Sequence, residues 1–348
     1  MSLEEKQSAG NGRSYDVVVI GGGAAGLSGA LMLGRARRSV LVVDAGRPRN
    51  APAAESHNYL TRDGVPPGEL LAEGRAEVAR YGGEVVEGEV VAAEADGEGR
   101  FRVALGDGAV VGARRLLVAS GMVDELPGIP GLAERWGRDV LHCPYCHGYE
   151  VRDQAIGVLS TGPMSVRQAL LWRQWSDDVR LFLHTGPEPS DEEYEQLAAR
   201  GIAVVDGEVT GLEVTGRGEG GDDRISGVEL VGGTVVPCRA LVIAARFDVR
   251  AKVVESLGLE VAETVVGDGA VLGSYVAARP GGATGVPGVW VAGNVADPTA
   301  TVSGAAAMGV RAAGEINFDL VEEETRRAVR ERRGVWERRA VWERRAAV

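Results

Sequence analysis

Apolar residues fall along the chain in short blocks separated by glycine-rich turns and longer amphipathic runs. Val17, Val18, Val19 and Ile20 form one such block, a continuous run of the kind a parallel strand buried on both faces requires, and it leads directly into Gly21 to Gly26. A helix is expected over 24–35 and a second buried strand over 39–43 closing in Asp44, which together make a strand, helix, strand unit of about 30 residues. Beyond a stretch rich in Pro, Asn and Gly, the pattern predicts a helix near 69–81, short alternating strands such as 101–105, and a buried strand over 115–119 ending at Ser120 and Gly121. After Pro127 and Pro130 a second strand, helix, strand pattern appears at 155–159, 165–175 and 179–183. Hydrophobic strands return at 240–244 and 288–292, the latter capped by Gly293, and an Ala-rich helix is expected over 303–313. The reading is an α/β protein in which a second unit interrupts the first.

The ends differ in kind. Residues 1–13 are polar and without period, which predicts a flexible arm. From Val321 the chain is charged and helix-like, and Val335-Trp336-Glu337-Arg338-Arg339 recurs as Val341-Trp342-Glu343-Arg344-Arg345; no function is assigned to this tail.

Composition narrows the partners. The chain has 348 residues, 45% of them hydrophobic, enough for two cores, and a formal net charge of -12 that repels phosphate backbones. A small molecule is therefore expected and a nucleic acid is not. No window approaches the roughly 20 apolar residues of a membrane span, and residues 1–14 carry no apolar signal core, so no membrane association and a cytoplasmic location are expected. Three cysteines cannot build a disulfide scaffold, and two of them share one Cys-x-x-Cys.

Gly21-Gly22-Gly23-Ala24-Ala25-Gly26 fits the dinucleotide fingerprint. Gly21 permits the tight turn, Gly23 lets backbone approach a pyrophosphate, and Gly26 allows close helix packing, while the helix N-terminus offers its positive end. Asp44 follows Gly26 by 18 residues. Its carboxylate accepts ribose hydroxyls and repels a 2'-phosphate, which suits FAD or NAD.

His142-Cys143-Pro144-Tyr145-Cys146-His147-Gly148-Tyr149-Glu150 is the sharpest local feature. Covalent haem attachment, zinc, an inert buried pair and a redox dithiol all compete for it. Haem attachment goes with export, which nothing in residues 1–14 suggests, and four zinc ligands within six consecutive residues hardly close a tetrahedron, so no metal is expected. A dithiol/disulfide couple beside an imidazole that lowers a thiol pKa or shuttles protons fits best. Cys238, alone on an apolar run, reads as core.

These features, with Leu117-Val118-Ala119-Ser120-Gly121 and the late block Thr284-Gly285-Val286-Pro287-Gly288-Val289-Trp290-Val291-Ala292-Gly293-Asn294, stand in the order and spacing of the low-molecular-weight thioredoxin reductases, which residues 14–320 resemble. The resemblance implies a flavoprotein with two dinucleotide-binding domains and a homodimeric assembly. Its FAD domain is discontinuous, 14–123 plus 248–320, and the inserted 124–247 domain carries the cysteines and a degenerate nicotinamide site; a charged tail occupies 321–348. By family position, further FAD contacts are expected at Ala24, Ala25, Asn50 and Asn58. Val90, Ser120, Gly121, Gly293 and Val302 complete the set. Asn294 stands where the family has an acid on the ribitol, and its side chain is expected to hydrogen-bond there instead. His147 stands where the reductases usually have Asp and is carried over as the acid/base, with His142 as a second candidate.

The inserted unit departs from the reductases at the electron donor's site. Ser160-Thr161-Gly162-Pro163-Met164-Ser165 replaces a second glycine fingerprint, and Thr185-Gly186 stands where two arginines would hold the NADPH 2'-phosphate. Two lost charge-assisted contacts, about 1.5 to 3 kcal/mol each, weaken NADPH by orders of magnitude. FAD and a dithiol without a nicotinamide site resemble the dithiol oxidases that close the disulfides of holomycin-like dithiolopyrrolones and gliotoxin. That resemblance implies attack of a substrate thiolate on Cys143, passage of the electron pair through Cys146 to the flavin, and reoxidation by O2 with release of H2O2. An NAD(P)H- or ferredoxin-dependent disulfide reductase and a noncatalytic FAD-binding protein remain as alternatives.

Overall fold

The computed structural model describes residues 12–216, 223–266 and 269–346. Residues 1–11 of the expected flexible arm lie outside them.

The first apolar block forms the strand Ser14–Ile20 at the centre of a seven-stranded sheet, with Val17, Val18 and Val19 wholly buried. Across the sheet the order is Glu84–Glu87, Val40–Asp44, Ser14–Ile20, Val110–Val118, Phe101–Leu105, Val90–Ala95. The strand Val110–Val118 changes partner along its length: 110–113 pair antiparallel with Phe101–Leu105, and 116–118 pair in parallel with Val289–Val291. Residues far apart in the chain thus complete one sheet. The helix Ala24–Arg35 packs on it, crossed by a terminal helix that runs unbroken over Val302–Ala346 and so joins the expected 303–313 helix to the charged tail. The two helices meet so closely that a Cβ on Gly309 would stand 1.9 Å from the Ala25 carbonyl oxygen.

A second sheet is wholly parallel, in the order Ala203–Val205, Val179–Phe182, Ile156–Leu159, Ala240–Ile243, Val140–Leu141. Its core is filled by Trp172, Leu181, Leu197 and their neighbours. Cys238 is 1% exposed with its sulfur 2.8 Å from the Ala240 oxygen, and burial pushes its thiol up to about 12, which makes it the inert core residue expected. The two sheets are joined by Met122–Glu125 and Arg246–Val249, which pair antiparallel.

Candidate active site

Where the two sheets face each other, a cavity of 570 Å³ opens, well within the range of cofactor sites. Every residue expected to touch FAD or to do redox chemistry lines it, with the exception of Gly26. The turn after the first strand explains the difference. A Cβ on Gly21, at φ 108°, would meet the Ala119 oxygen at 2.3 Å, and one on Gly26 would meet the Gly21 oxygen at 1.9 Å, so both are demanded by packing. At Gly23 a Cβ would have nothing within 4 Å. Gly23 is therefore the cavity-lining glycine whose side-chain position is left open, at the N-cap of the helix Ala24–Arg35, where backbone N–H groups point outward.

Other features of the wall suit a dinucleotide. Asp44 closes its strand with Oδ1 accepting from the Gly46 amide at 3.2 Å. The Ser120 hydroxyl is buried without a partner in the chain. Such an orphan on a cavity wall is what a bound hydroxyl or phosphate oxygen would satisfy. Asn294 also serves the fold. Its Nδ2 donates to the carbonyls of Asp297, Pro298 and Ala300 at 3.1, 3.3 and 3.0 Å, so the side chain organises the turn before the terminal helix and offers the cavity only Oδ1. An aspartate here would set a carboxylate against three carbonyl oxygens, which gives the amide its physical reason.

At the other end of the cavity, Cys143 precedes the one-turn helix Pro144–His147 and Cys146 lies within it. Their sulfurs are 2.7 Å apart, with Cys146 as the donor. That hydrogen bond, aided by the amides of Cys146 and Tyr145 and by the Arg49 guanidinium, brings the Cys143 thiol down to about 7 against the opposing effect of burial. Cys146 is pushed up by the same bond and by burial. The pair is thus split into a nucleophile and a protonated partner. His142 donates Nδ1–H to the Ile243 oxygen at 3.1 Å, a carbonyl being acceptor only, and burial lowers its pKa. Burial also lowers that of His147, against the charge of Glu150 and with His57 and His142 lowering it further. Both rings are therefore bases at neutral pH.

Sequence reading missed the residues that hold this segment. Asn58, at φ 63°, is expected against the cofactor; its Nδ2 donates to the Tyr145 oxygen at 2.6 Å, and its own oxygen accepts from Ser303 at 3.2 Å. Arg49 forms a two-pronged pair with Asp124 at 2.6 and 2.5 Å. Trp175 stacks edge-on with Tyr145 at 5.7 Å and leaves no room for a Cβ on Gly148. None of these contacts carries a local signal, since partners lie up to 245 residues apart.

The turn at 160–165 spends its polar groups within the chain. Ser160 is 2% exposed, Ser165 Oγ donates to the Gly162 oxygen at 2.7 Å, and Thr161 Oγ1 donates to the Ala244 oxygen at 3.3 Å. A Cβ on Gly186 would stand 1.9 Å from Ser160 Oγ.

Comparison with known proteins agrees with this architecture. Residues 15–309 match the family model for pyridine nucleotide-disulphide oxidoreductases. The crystal structure of HlmI superposes with a TM-score of 0.83 and 48% identity, covering 91% of this chain and 96% of that one. The thioredoxin reductase sirT of Leptosphaeria maculans is 30% identical over 87% of this chain and 94% of its own length. A probable thioredoxin reductase of Arthroderma benhamiae is 38% identical over 46% of this chain, which spans only 41% of that relative's length. Together with the glycine turn and the paired cysteines, these matches place the chain in the pyridine nucleotide-disulphide oxidoreductase family, as a thioredoxin reductase-like flavoprotein.

Proposed function

We propose that the protein is an FAD-dependent dithiol oxidase that closes an intramolecular disulfide in a small-molecule dithiol, with O2 as acceptor and H2O2 as second product. The observation that carries this reading is the single cavity in which the Gly21 to Gly23 turn and the Cys143/Cys146 pair stand together, while the second fingerprint turns inward. The 14–123 and 248–320 portions would hold FAD through Gly23, Asp44 and Ser120, with Gly293 shaping the wall. Bound there, FAD supplies a two-electron acceptor for the sulfur pair and a route to oxygen.

The chain's own part follows from its acid/base asymmetry. A substrate thiol loses its proton to His147, or to His142, and the thiolate attacks Cys143 of the enzyme disulfide, releasing Cys146. The second substrate thiolate attacks the mixed disulfide, closing the substrate S–S bond and releasing Cys143. The low pKa of Cys143 makes it the better leaving group in that second step.

The reductase names borne by relatives such as sirT favour a second reading, an NAD(P)H-dependent disulfide reductase. Anaerobic titration separates the two. Bleaching of the flavin by a dithiol, with NADPH far slower, supports the oxidase; fast bleaching by NADPH overturns it.

A further inference from the structure

The motif around the cysteines ends in Glu150, to which the proposed reaction gives no role. Its Oε1 lies 3.4 Å from His57 Nε2, and Glu55 Oε2 lies 3.6 Å from the same nitrogen. On the other side of the ring, Nδ1 is 3.5 Å from Asp63 Oδ2. The imidazole is 16% exposed, whereas Glu150 is 43%, Glu55 53% and Asp63 67% exposed. A covered ring is thus bracketed by carboxylates that reach water. It lines the same cavity as Cys143, Cys146 and His147, and the charges of both Glu150 and His57 are felt at the His147 ring.

The loop that carries His57 is built to hold this position. Asn58 at φ 63° and Thr61 at φ 72° adopt the left-handed region, which is costly for a β-branched residue such as Thr61. The Asn58 amide donates to Asp63 Oδ1 at 2.8 Å, fixing the carboxylate beneath the ring. Asn58 Nδ2 ties the loop to Tyr145, between the two cysteines.

Closing one disulfide takes two protons from two thiols, while the electron pair leaves by the sulfurs. His147 can receive the protons one at a time, but it must discharge each before accepting the next. We propose that His57, which lines the cavity between Glu150 and Asp63, is the proton exit of the cysteine site, taking protons released at His147 from the cavity and handing them to the carboxylates that reach water. An imidazole suits this work because it takes a proton at one nitrogen and releases it from the other. No bond other than N–H and O–H changes along the route. Contacts of 3.4 to 3.6 Å leave each carboxylate one small side-chain adjustment from hydrogen-bond distance, and catalytic hydrogen bonds are often long before a site is filled. Since His57 acts through His147, it is a positioning residue; the inference rests on the thiol chemistry assigned to the cysteine pair.

The test is stopped-flow reduction of the flavin in the holoenzyme by dithiothreitol, without oxygen, across pH 6 to 9. Substituting His57→Gln is expected to slow reduction roughly tenfold and to shift its pH profile, below the 10² to 10⁴ range of a direct acid/base group. Asp63→Asn is expected to fall between His57→Gln and the unaltered protein. In His57→Ala, free imidazole restores most of the lost rate, which a merely structural role would not allow. FAD content and the rate of Cys143 alkylation by iodoacetamide stay unchanged in each. An unaltered rate and pH profile in His57→Gln, or a loss that imidazole does not relieve, overturns the relay. If the unaltered protein fails to bleach with dithiothreitol but does so with NADPH, the oxidase reading falls by itself. The relay is then read in NADPH-driven reduction of 5,5'-dithiobis(nitrobenzoate), where protons travel inward and the same tenfold loss and imidazole rescue are expected; their absence overturns it there too.

Discussion

Gly23 and Gly26 stand three residues apart and are constrained by different things. A Cβ at 26 strikes the Gly21 oxygen at 1.9 Å, while one at 23 projects into the cavity. Gly23→Val is therefore expected to fold with a melting temperature within a few degrees of the parent and to purify colourless, whereas Gly26→Val should fail to give folded protein; absorbance near the flavin maximum and thermal unfolding read the two effects separately. A yellow Gly23→Val protein would remove the glycine turn from the cofactor site. The thiols allow a second separation. Because the Cys146 hydrogen bond is the largest influence lowering Cys143 to about 7 from an ordinary 9.0, Cys146→Ala should move the midpoint of Cys143 alkylation upward in pH. An unmoved midpoint would assign the shift to the amides and Arg49 instead. Both glycines and both cysteines were legible in the sequence, since each motif is a run of neighbours with its own spacing. His57 and Arg49 were not, because an isolated His or Arg in a Pro- and Asn-rich stretch acquires meaning only from Glu150 and Asp124, far along the chain.

Among the elements, the terminal helix is the one whose extent the sequence concealed. Its apolar period fades after residue 320, and past that point the helix is held to the first sheet by charge rather than by packing. Arg115 bonds Asp319 and Glu323 at 2.5 and 2.7 Å, Arg114 bonds Asp16 and Glu324 at 2.7 and 2.8 Å, and Arg38 reaches Glu324 at 2.6 Å. Such a clamp is invisible to any search for periodicity, because its arginines come from other elements. It does make a titration prediction. Glu324 is held at about 2 against an ordinary 4.5, chiefly by hydrogen bonds from Arg38 and Arg114, and Glu323 and Asp16 are lowered as well. A carboxyl lowered by folding contributes stability that is complete above its unfolded pKa and lost as pH falls toward the folded one. The urea midpoint should accordingly drop between pH 4.5 and about 2, and Glu324→Gln should flatten that drop while lowering the midpoint at neutral pH. A Glu324→Gln curve parallel to the parent's would deny the clamp its share. Buried strands were read more closely, as at Phe101–Leu105, because burial writes itself into alternation or runs, whereas the strand expected from 115 begins at Val110 and half-exposed strands such as Val209–Thr215 were not foreseen.

At the scale of the whole molecule, the question is whether electrons enter the cavity from a dithiol at the cysteine pair or from a nicotinamide held elsewhere on the second unit. The cavity joins the glycine turn of one sheet to the cysteine segment carried by the other, so thiol oxidation needs no change in their relation. An incoming nicotinamide would have to be held by the second unit, whose turn at 160–165 spends its polar groups on its own backbone and on Ala244. The sequence has Thr185 and Gly186 where the resemblance implies two arginines. What it cannot show is that position 186 has been filled from across the sheet, since a Cβ there meets Ser160 Oγ at 1.9 Å and Ser160 is itself buried. On the proposed oxidase reading the departure from the reductase pattern lies in the packing as well, and restoring side chains should not create a nicotinamide site. Thr185→Arg with Gly186→Arg is expected to leave NADPH reduction of the flavin as slow as in the parent and to destabilise the second unit by about 1 to 3 kcal/mol, the usual cost of overpacking a tight contact. Thr185→Arg alone, which leaves Gly186 in place, should be nearly neutral in thermal unfolding. Anaerobic mixing with NADPH, followed at the flavin absorbance beside the same mixing with dithiothreitol, reads the outcome. Fast NADPH reduction in the double variant would mean that the turn at 160–165 still cradles a dinucleotide phosphate, and that only two charges separate this protein from a reductase.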